Sequence, residues 1–456
     1  MKPLLSIVVI FAMLLAIPAC SEKRTPPPAQ EKETVTYPSW VDQAVIYEVN
    51  IRQYTPEGTF AAFQAHLPRL KELGVDVLWL MPIHPIGEVN RKGSLGSYYA
   101  VKDYKRINPE FGTQEDFRAL VEAIHAQGMH VIIDWVANHT SWDNTLMYNP
   151  EYYSTDDRGN VISPVADWSD VADLNFDNYE MRQYMMDVMS FWVSEYDIDG
   201  FRCDVADMVP HDFWNKLHYQ LNEIKPVFML AEADNPKLFD AGFHMDYNWE
   251  FHHLMNDVAK RMKTPMEISQ HFVNQSEIYP NRAIRMNFTS NHDENSWNGT
   301  AKARLGEALP VMTALTVAAP GMPLVYSGQE AGLDKALRFF DKDTIVWKED
   351  PMTALYQELF AIKKANKALW NGQEGGAYVE LSVSDVDRVL AFAREVEGNL
   401  VVALFNLSPE DVTFDLMANG YEGKYTDLQT KAAVKLQEVN SLTLPAWGFQ
   451  LLGMNY

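Results

Sequence analysis

Charged side chains follow several apolar segments of this 456-residue chain, and their types suit acid–base chemistry. Arg202 and Asp204 close the segment GFRCD, Glu232 follows FMLA, and Asp293 lies in TSNHD. Cleavage of an acetal needs one carboxyl group that gives a proton and a second that stabilises the carbon left behind. The three carboxyl groups are therefore candidates for that reaction, provided that the fold brings them together.

The neighbours of these carboxyl groups predict different protonation states. Strand alternation places Arg202 and Asp204 on one face of their segment, and a nearby cation lowers the pKa of a carboxyl group. We therefore expect Asp204 to stay ionised. Glu232 follows an apolar segment without an adjacent cation in the sequence, so we expect it to hold a proton at neutral pH.

Apolar segments of strand length alternate with amphipathic stretches of helix length from about residue 45 to 319. Eight such units predict an α/β fold with a closed (β/α)8 TIM barrel. An open doubly wound sheet is the alternative, but it would need a glycine-rich turn after the first strand, where RQYT stands. The expected strands are 46–49, 75–81, 129–136, 200–205, 227–231, 242–246, 283–288 and 323–326, and the apolar spacing over 60–73 predicts a helix.

Active sites of such barrels lie where the strands end and the following loops begin. The candidate carboxyl groups, together with His139 and His292, all occupy such positions. Buried charge is costly unless it is paired, so a purely structural role is a poor account of so many charged groups there. The connection at about 138–177, after the third strand, is unusually long and predicts a small excursion that forms one wall of a cleft.

The chain changes character after about residue 371. Short β-rich runs at 379–383, 389–396, 400–406, 412–414, 425–427 and 442–451 predict a C-terminal antiparallel β-sandwich. The expected domains are thus a catalytic barrel over 38–370 and a β domain over 371–456.

Several segments resemble the signature sequences of the α-amylase family of glycoside hydrolases, family 13. They are DWVANHT (134–140), GFRCDVAD (200–207), the Glu after FMLA and FTSNHDEN (288–295), with VADLNFDN (171–178) and GSYYAVKDYKRINPEFGT (96–113) in addition. The resemblance implies a TIM barrel with a β-sandwich behind it. It also implies hydrolysis of glycosidic bonds with retention of anomeric configuration.

The same resemblance implies a role for each matching residue. Asp204 corresponds to the nucleophile, Glu232 to the general acid and base, and Asp293 to the carboxylate that stabilises the transition state. The implied substrate-binding residues are Tyr99 as a stacking platform, His139 and His292 as hydrogen-bond donors to hydroxyls, and Arg202 as the cation beside the nucleophile.

The resemblance departs from many α-amylases just beyond the nucleophile. Asp207 and Met208 stand where many members have Lys and His, and the carbonyl of that His helps to hold calcium. Asn138 still matches the calcium-linked asparagine, so it is a weak metal candidate. Calcium would need about six to eight oxygen ligands. The chemistry itself requires no cofactor, and a structural calcium ion is an open alternative.

The residues after the nucleophile also bear on the substrate. Val205 and the run DVADMVPHDFW resemble neopullulanases and cyclomaltodextrinases. The first hypothesis is hydrolysis of α-1,4-glucosidic bonds in starch, glycogen or maltodextrins. The alternatives are a neopullulanase or cyclomaltodextrinase, an oligo-1,6-glucosidase or a transglycosylase of the same family. A hypothesis of another class is a non-catalytic glucan-binding lipoprotein.

The N-terminal residues predict export. Lys2, an apolar run over 4–17 and a small residue before Cys20 resemble a bacterial lipoprotein signal over 1–19, with Cys20 as the lipidated residue. A plain secretory signal is the alternative. The polar, proline-rich residues of 20–37 predict a flexible tether. We therefore expect a protein held to the bacterial cell envelope, on its periplasmic or outer-surface face, by a lipid at Cys20.

The overall charge restricts the partners. Lys and Arg number 38 against 62 Asp and Glu, which gives a net charge of −24. Such a surface repels phosphate backbones, so we expect no nucleic-acid partner and favour a neutral α-glucan or malto-oligosaccharide. The only other cysteine, Cys203, is expected to be a small buried hydrophobic residue. The sequence does not indicate an oligomeric state.

Overall fold

The computed structural model describes residues 37–455. The predicted signal peptide (1–19), Cys20 and residues 21–36 of the predicted tether lie outside the described residues. Within 37–455, no helix is long and apolar enough to cross a membrane.

Eight parallel strands close into a barrel in the order β1-β2-β3-β6-β7-β8-β9-β10, and β10 pairs back to β1. The TIM barrel predicted from the alternating segments is confirmed. The strands of this part of the chain are β1 (Ile46–Val49), β2 (Val77–Leu80), β3 (His130–Trp135), β4 (His139–Ser141), β5 (Val171–Asp173), β6 (Gly200–Cys203), β7 (Phe228–Ala231), β8 (Met245–Tyr247), β9 (Ile284–Phe288) and β10 (Met322–Tyr326).

Helices cover the outside of the barrel. They are α1 (Ile51–Tyr54), α2 (Phe60–Gln64), α3 (Leu67–Leu73), α4 (Gln114–Ala126), α5 (Tyr179–Tyr196), α6 (His211–Asn222), α7 (Trp249–Ala259), α8 (Pro265–Ile278), α9 (His292–Trp297), α10 (Ala301–Leu305), α11 (Leu309–Ala318) and α12 (Pro351–Ala365). Short 3-10 turns lie at Ser39–Val41, Thr145–Tyr148, Pro150–Tyr152, Ala206–Met208, Pro236–Ala241, Gly306–Ala308, Gln329–Ala331, Lys367–Leu369 and Gly372–Glu374.

The helical spacing over 60–73 is divided between two helices rather than one. α2 ends at Gln64, and α3 starts with Pro68 in its first turn, where the missing N–H of proline costs no hydrogen bond. α4 shows a complete start signal, since Thr113 and Asp116 cap each other's backbone N–H groups.

Two apolar layers hold the barrel. Inward-facing side chains such as Ile46, Trp79 and Phe288 form the interior core, and the outward-facing side chains of the same strands pack under the helices. This alternation follows from the two-residue period of a strand. Because the interior is filled with side chains, a substrate can approach the barrel's charged residues only from the mouth.

The excursion after β3 forms a wall beside the barrel mouth. β4 and β5 pair antiparallel, with His139 opposite Asp173. A salt bridge ties this wall to the loop that follows β2, because Lys92 Nζ lies 2.9 Å from Asp170 Oδ1 and also donates to the carbonyl of Asp167.

The C-terminal strands form the antiparallel β structure expected from the sequence. A six-stranded sheet runs in the order β11-β12-β13-β18-β15-β16, and β14 and β17 form a second sheet. These strands are β11 (Ala377–Glu380), β12 (Val389–Val396), β13 (Asn399–Asn406), β14 (Val412–Met417), β15 (Gly423–Asp427), β16 (Ala433–Leu436), β17 (Val439–Leu444) and β18 (Phe449–Asn455).

One strand prediction in this region is wrong. Residues 442–451 form the end of β17, a turn and the start of β18 rather than one strand. Pro445 has no N–H to give to a sheet, and Trp447 adopts a left-handed backbone with φ 51°, so the chain turns between them. The domain boundary at 371 stays a prediction.

Candidate active site

A cavity of about 690 Å³ opens at the carboxyl ends of the barrel strands, between the barrel and the wall after β3. Six of the predicted site residues line it: Tyr99, His139, Asp204, Glu232, His292 and Asp293. Arg202, the seventh, is fully buried and contacts two of the lining carboxyl groups from below. The remaining lining residues are Lys92, Ser97, Asp167, Trp168, Asp170, Val171, Val205, Trp297, Phe339 and Phe340.

Arg202 connects the carboxyl groups of three neighbouring strand ends. Its Nη1 donates to Asp134 Oδ1 and Asp204 Oδ1, each at 2.9 Å, and its Nη2 lies 3.0 Å from Glu232 Oε2. Its Nε donates to the hydroxyl of Tyr247 at 3.1 Å. One buried guanidinium therefore balances several carboxyl groups that would otherwise be buried together without a cation.

The prediction that Glu232 lacks an adjacent cation is wrong. β6 and β7 are parallel neighbours, with Cys203 opposite Ala231, so the residue after β7 lies beside the residues that end β6. The N–H of Glu232 accordingly donates to the carbonyl of Cys203 at 2.9 Å. Adjacency of strands that are distant in sequence brings Glu232 to Arg202, and the sequence alone gives no such register.

The pKa values of the two carboxyl groups are shifted in the opposite directions to those expected. Burial raises the pKa of Asp204 well above its ordinary value, and the charge of Glu232 raises it further. Burial also acts to raise the pKa of Glu232, but Arg202 and the N–H of Val205 outweigh that effect and lower it. The two groups also hydrogen-bond each other, so the arrangement places their shared proton on Asp204.

Val205 holds an unusual backbone directly after Asp204. Its φ of 37° and ψ of 47° lie in the left-handed region, which is strained for a β-branched residue. In this conformation its N–H donates to Glu232 Oε2 at 2.8 Å. The strain therefore directs a hydrogen-bond donor at one of the candidate catalytic oxygens.

Tyr99, His292 and Asp293 form a second group on the other side of the cavity. The Tyr99 hydroxyl donates to Asp134 Oδ2 at 3.0 Å and lies 2.8 Å from His292 Nε2. The same Nε2 lies 3.4 Å from Asp293 Oδ2. The side chain of Asp293 is 34% exposed, whereas Asp204 is nearly buried, so Asp293 is the most accessible of the three carboxyl groups.

The two histidines of the site differ in charge. Burial lowers the pKa of His139 to about 4, so it is neutral at neutral pH. For His292, burial acts to lower the pKa, but Asp293 and Glu48 outweigh it and raise the pKa to about 9. The His139 ring also packs against Trp168, with 5.5 Å between ring centres.

Around Asn138, the described residues offer no ready set of carboxylate ligands for a calcium ion. The side-chain nitrogen of Asn138 lies 3.3 Å from His139 Nδ1, and Asp170, a carboxylate of the adjoining wall, is already paired with Lys92. No group of three or more His, Cys, Asp or Glu within 37–455 is arranged to hold a metal ion. The position of Asp207 agrees with this, because its carboxylate is occupied by Asn235 Nδ2 at 2.7 Å and His211 Nε2 at 3.1 Å.

An aromatic ridge lies along the cavity, and the sequence did not lead us to its phenylalanines. Phe339 lies parallel to Tyr99, with 6.3 Å between ring centres, and Trp297 packs against Phe339 at 5.2 Å. Trp297 is 55% exposed, and its Nε1 donates to Asp293 Oδ1 at 3.3 Å. The adjacent pair Phe339-Phe340, in a polar loop after the eighth strand, was the signal that could have found this ridge.

Lys92 and Glu48 were also missed. Lys92 lies in a loop whose path the sequence does not reveal, and its contacts with the wall appear only in three dimensions. Glu48 is the one acidic residue of the apolar strand IYEV, and a charged residue in an otherwise apolar strand could have been recognised from the sequence.

Comparison with known proteins agrees with this geometry. The family model for the alpha-amylase catalytic domain matches residues 34–161 and 165–378, more than half of the chain. The chain is 28% identical over 410 residues to alpha-amylase MalA of Haloarcula japonica, covering 86% of this chain and 59% of MalA. It is 25% identical over 424 residues to a maltogenic alpha-amylase of Bacillus acidopullulyticus, covering 85% of this chain and 69% of that protein.

Two solved structures share the fold over nearly the whole described chain. The maltogenic alpha-amylase AmyB from Thermotoga neapolitana superposes with a TM-score of 0.84 at 29% identity, covering 91% of this chain and all of that one. An alpha-amylase from Lactobacillus plantarum superposes with a TM-score of 0.81 at 32% identity, covering 91% of this chain and 99% of that one. The chain therefore belongs to the alpha-amylase family of glycoside hydrolases.

Proposed function

We propose that this protein is a retaining glycoside hydrolase that cleaves α-1,4-glucosidic bonds in starch, glycogen or maltodextrins. The observation that carries the proposal is the convergence of Asp204, Glu232 and Asp293 on one cavity, two of them on the same guanidinium. The names of the relatives, which include alpha-amylases, maltogenic amylases and a cyclomaltodextrinase, support an α-glucan as substrate.

The first half of the reaction breaks the glycosidic bond. Glu232 gives its proton to the departing oxygen as the bond from that oxygen to the anomeric carbon breaks, and an Asp204 oxygen bonds to the same carbon. The leaving chain departs with a new hydroxyl, and the glycosyl unit stays as an ester of Asp204. In the second half, Glu232 takes a proton from water, whose oxygen displaces Asp204, so the anomeric configuration is retained.

The shared proton must lie on Glu232 for this reaction to begin. Asp204 attacks only as a carboxylate, whereas the pKa shifts place the proton on Asp204. Because the two groups hydrogen-bond each other, the proton has to move by only one hydrogen bond. A glycosidic oxygen that accepts a hydrogen bond from Glu232 favours that transfer, and Arg202 stabilises Asp204 once it is ionised.

The other side of the cavity holds the sugar. Asp293 and His292 offer an acceptor and a donor to ring hydroxyls, and Tyr99 offers an aromatic face. Asp293 also places negative charge near a ring that becomes positive in the transition state. His139, which is neutral and lies against Trp168, contributes from the opposite wall.

The experiment is the product profile of the purified protein on starch, pullulan, isomaltose and a cyclodextrin. Rapid thinning of starch with release of malto-oligosaccharides of α configuration is the expected result. Asp204→Asn should lower turnover by roughly 10³-fold or more while the fold is kept, because an amide cannot form the glycosyl ester. Isomaltose or panose consumption without starch thinning would contradict the α-1,4 preference.

The residues after the nucleophile favour a second candidate within the same family. Val205, Asp207 and Met208 lie in the segment that resembles neopullulanases and cyclomaltodextrinases. The second candidate is therefore an enzyme of that kind, or an oligo-1,6-glucosidase or transglycosylase of the same family. Preferential opening of the cyclodextrin, cleavage of pullulan to panose, or transfer products would favour it. Starch binding without any reducing ends would instead favour a non-catalytic glucan-binding lipoprotein.

We further propose export and attachment to the bacterial cell envelope through a lipid on Cys20, on the evidence of the N-terminal sequence. In the native bacterial host, the full chain should fractionate with membranes, and Cys20→Ser should move it to the soluble fraction. Membrane association that survives this substitution would contradict the anchor.

The proposed chemistry uses no cofactor, so exhaustive chelation of divalent metals should leave the initial rate on starch unchanged.

A further inference from the structure

Glu48 is a buried carboxylate inside the barrel. It lies on the same face of β1 as Ile46, whose side chain belongs to the interior core, and Glu48 itself is fully buried. Its Oε1 lies 2.5 Å from His292 Nδ1, and within the described residues its Oε2 has no hydrogen-bond partner. The apolar strand IYEV therefore carries one charge, and that charge contacts one histidine of the active site.

A neutral side chain would hold the histidine ring with less cost. Glutamine at this position could accept the same hydrogen bond from Nδ1–H, whereas a carboxylate must also be stripped of water. What the carboxylate adds is charge, which favours a positively charged partner. A histidine whose Nδ1 and Nε2 both carry hydrogen donates in two directions, and His292 Nε2 faces Tyr99 and Asp293.

We propose that Glu48 is a positioning residue that keeps His292 doubly protonated, so that Nε2–H always donates into the side of the cavity where the Tyr99 hydroxyl, Asp293 and the sugar lie. This inference rests on the proposed function, because it assigns the role of His292 in the glucan hydrolase reaction. Glu48 does not itself line the cavity, and it acts through His292, which does.

The charged and titratable groups around His292 come from six parts of the fold. Some of them raise its pKa and others lower it. Glu48 and Asp293 favour its protonated form, while burial and Arg202 oppose it. The groups that face it are Glu48 from β1, Tyr99 from the loop after β2, Asp134 from β3, Arg202 from β6, Glu232 after β7 and Asp293 beside it in α9.

Glu48→Gln separates charge from geometry. Glutamine keeps an acceptor oxygen for Nδ1–H but removes the negative charge, so His292 loses its proton at a lower pH than its native pKa of about 9. A protonated histidine with a raised pKa contributes fully to activity below that pKa, and this contribution is lost as the pH rises through the pKa. His292 should therefore lose its contribution to kcat/KM on maltodextrin near pH 9 in the native protein and at a lower pH, toward the ordinary histidine value of about 6.5, in the variant.

At acidic pH the same variant should be within about threefold of the native rate, because His292 is protonated in both proteins. Glu48→Ala removes both charge and acceptor, and it should lower kcat/KM by roughly tenfold or more over the whole pH range. A glutamine variant that keeps the acidic rate but loses activity at a lower alkaline pH than the native protein is a result that a merely structural role would not give.

The matched control is a second buried histidine–glutamate pair. His252 Nε2 lies 3.1 Å from Glu294 Oε2, close to the cleft in sequence but not part of its lining. Glu294→Gln also removes one buried carboxylate beside one histidine. It should leave the alkaline limb of the activity unchanged, and a shift equal to that of Glu48→Gln would overturn the assignment.

A readout without activity keeps the inference separate from the proposed function. In protein labelled with ¹³C at histidine, the His292 resonance is assigned from its loss in His292→Gln, and its titration is followed in native protein and in Glu48→Gln. A midpoint lowered by at least about one pH unit in the variant is expected. Unchanged midpoints in a folded variant would overturn the inference, whether or not the protein hydrolyses glucan, whereas failure on every glucan with a shifted midpoint would reject the function alone.

Discussion

At the scale of single residues, the charge balance of the cleft depends on Arg202. This side chain is fully buried and is the shared partner of Asp134, Asp204 and Glu232. Removing one partner of a buried ion pair leaves the others without compensation, which costs more than the pair itself contributes. The carboxyl groups of the cleft can therefore approach one another only while the guanidinium is present.

Arg202→Met should lower the free energy of unfolding by about 3–5 kcal/mol, with loss of activity, because the carboxyl groups stay buried without a cation. Thermal and denaturant unfolding measure the loss. Arg118→Met is the control: Arg118 is exposed on α4, and substitutions at such positions usually stay within about 0.5 kcal/mol. Equal stabilities of the two variants would show that Arg202 does not carry the buried charge.

The candidate carboxyl groups could be identified from the sequence because each follows an apolar strand. Their protonation could not, because the second partner of Arg202 comes from the neighbouring strand β7. The backbone of Val205 was equally hidden: valine predicts an extended strand, and only the folded chain holds it at positive φ. Both the protonation of the carboxyl groups and the backbone of Val205 depend on contacts between strands that are distant in sequence, so residue types alone could not predict them.

At the scale of elements, loops from three parts of the barrel build the aromatic ridge. Tyr99 comes from the loop after β2, Trp297 from α9, and Phe339 from the segment after β10. Trp297 is half exposed, and its hydrogen bond to Asp293 places it beside Asp293. Aromatic faces that continue along a cleft suit a chain of sugar rings longer than one unit.

Trp297→Ala should therefore raise KM more for maltoheptaose than for maltotriose, by roughly five- to tenfold against less than about twofold, with kcat little changed. Initial rates on the two oligosaccharides measure the ratio. Tyr148→Ala is the matched control, because Tyr148 is 92% exposed on the wall after β3 but does not line the cavity. An equal effect on both substrates would argue that Trp297 only supports the loop.

Secondary structure was predictable where periodicity was strong. All eight barrel strands lie at the expected places, because buried parallel strands appear as continuous apolar runs. Boundaries failed where single residues interrupted a pattern, as at Pro445 in the predicted strand 442–451 and at the start of α3. The excursion after β3 was predictable from its length, but its salt bridge to Lys92 was not.

At the scale of the whole molecule, strands β12 and β13 of the C-terminal sheet are buried on both faces. Leu390, Phe392 and Phe405 belong to the same apolar core as the barrel helices, while Val389 and Ala391 pack toward the second sheet. Arg394 from this sheet donates to carbonyls on the barrel side, including those of Ala318, Ala319 and Trp370. Its guanidinium is buried among these carbonyls, and burial lowers its pKa to about 9.

Arg394→Met should lower the free energy of unfolding by about 3 kcal/mol, since several buried carbonyls lose their donor. Activity below the unfolding transition should stay near the native value, because Arg394 does not line the active-site cavity. Arg388→Met, a partly exposed position in the same domain paired with Asp385, should change stability much less. Equal melting temperatures of the two variants would refute a role for Arg394 in joining the C-terminal sheet to the barrel.

The most direct measurement of the central claim is mass spectrometry of the protein after reaction with a fluorinated α-maltosyl fluoride, which forms the glycosyl ester but releases it slowly. The three carboxyl groups at 204, 232 and 293 are assigned separate roles, so only one of them should carry the sugar. We expect one maltosyl unit on the peptide that contains Asp204. A label on Glu232 or Asp293, or no label while starch is still hydrolysed, would contradict it.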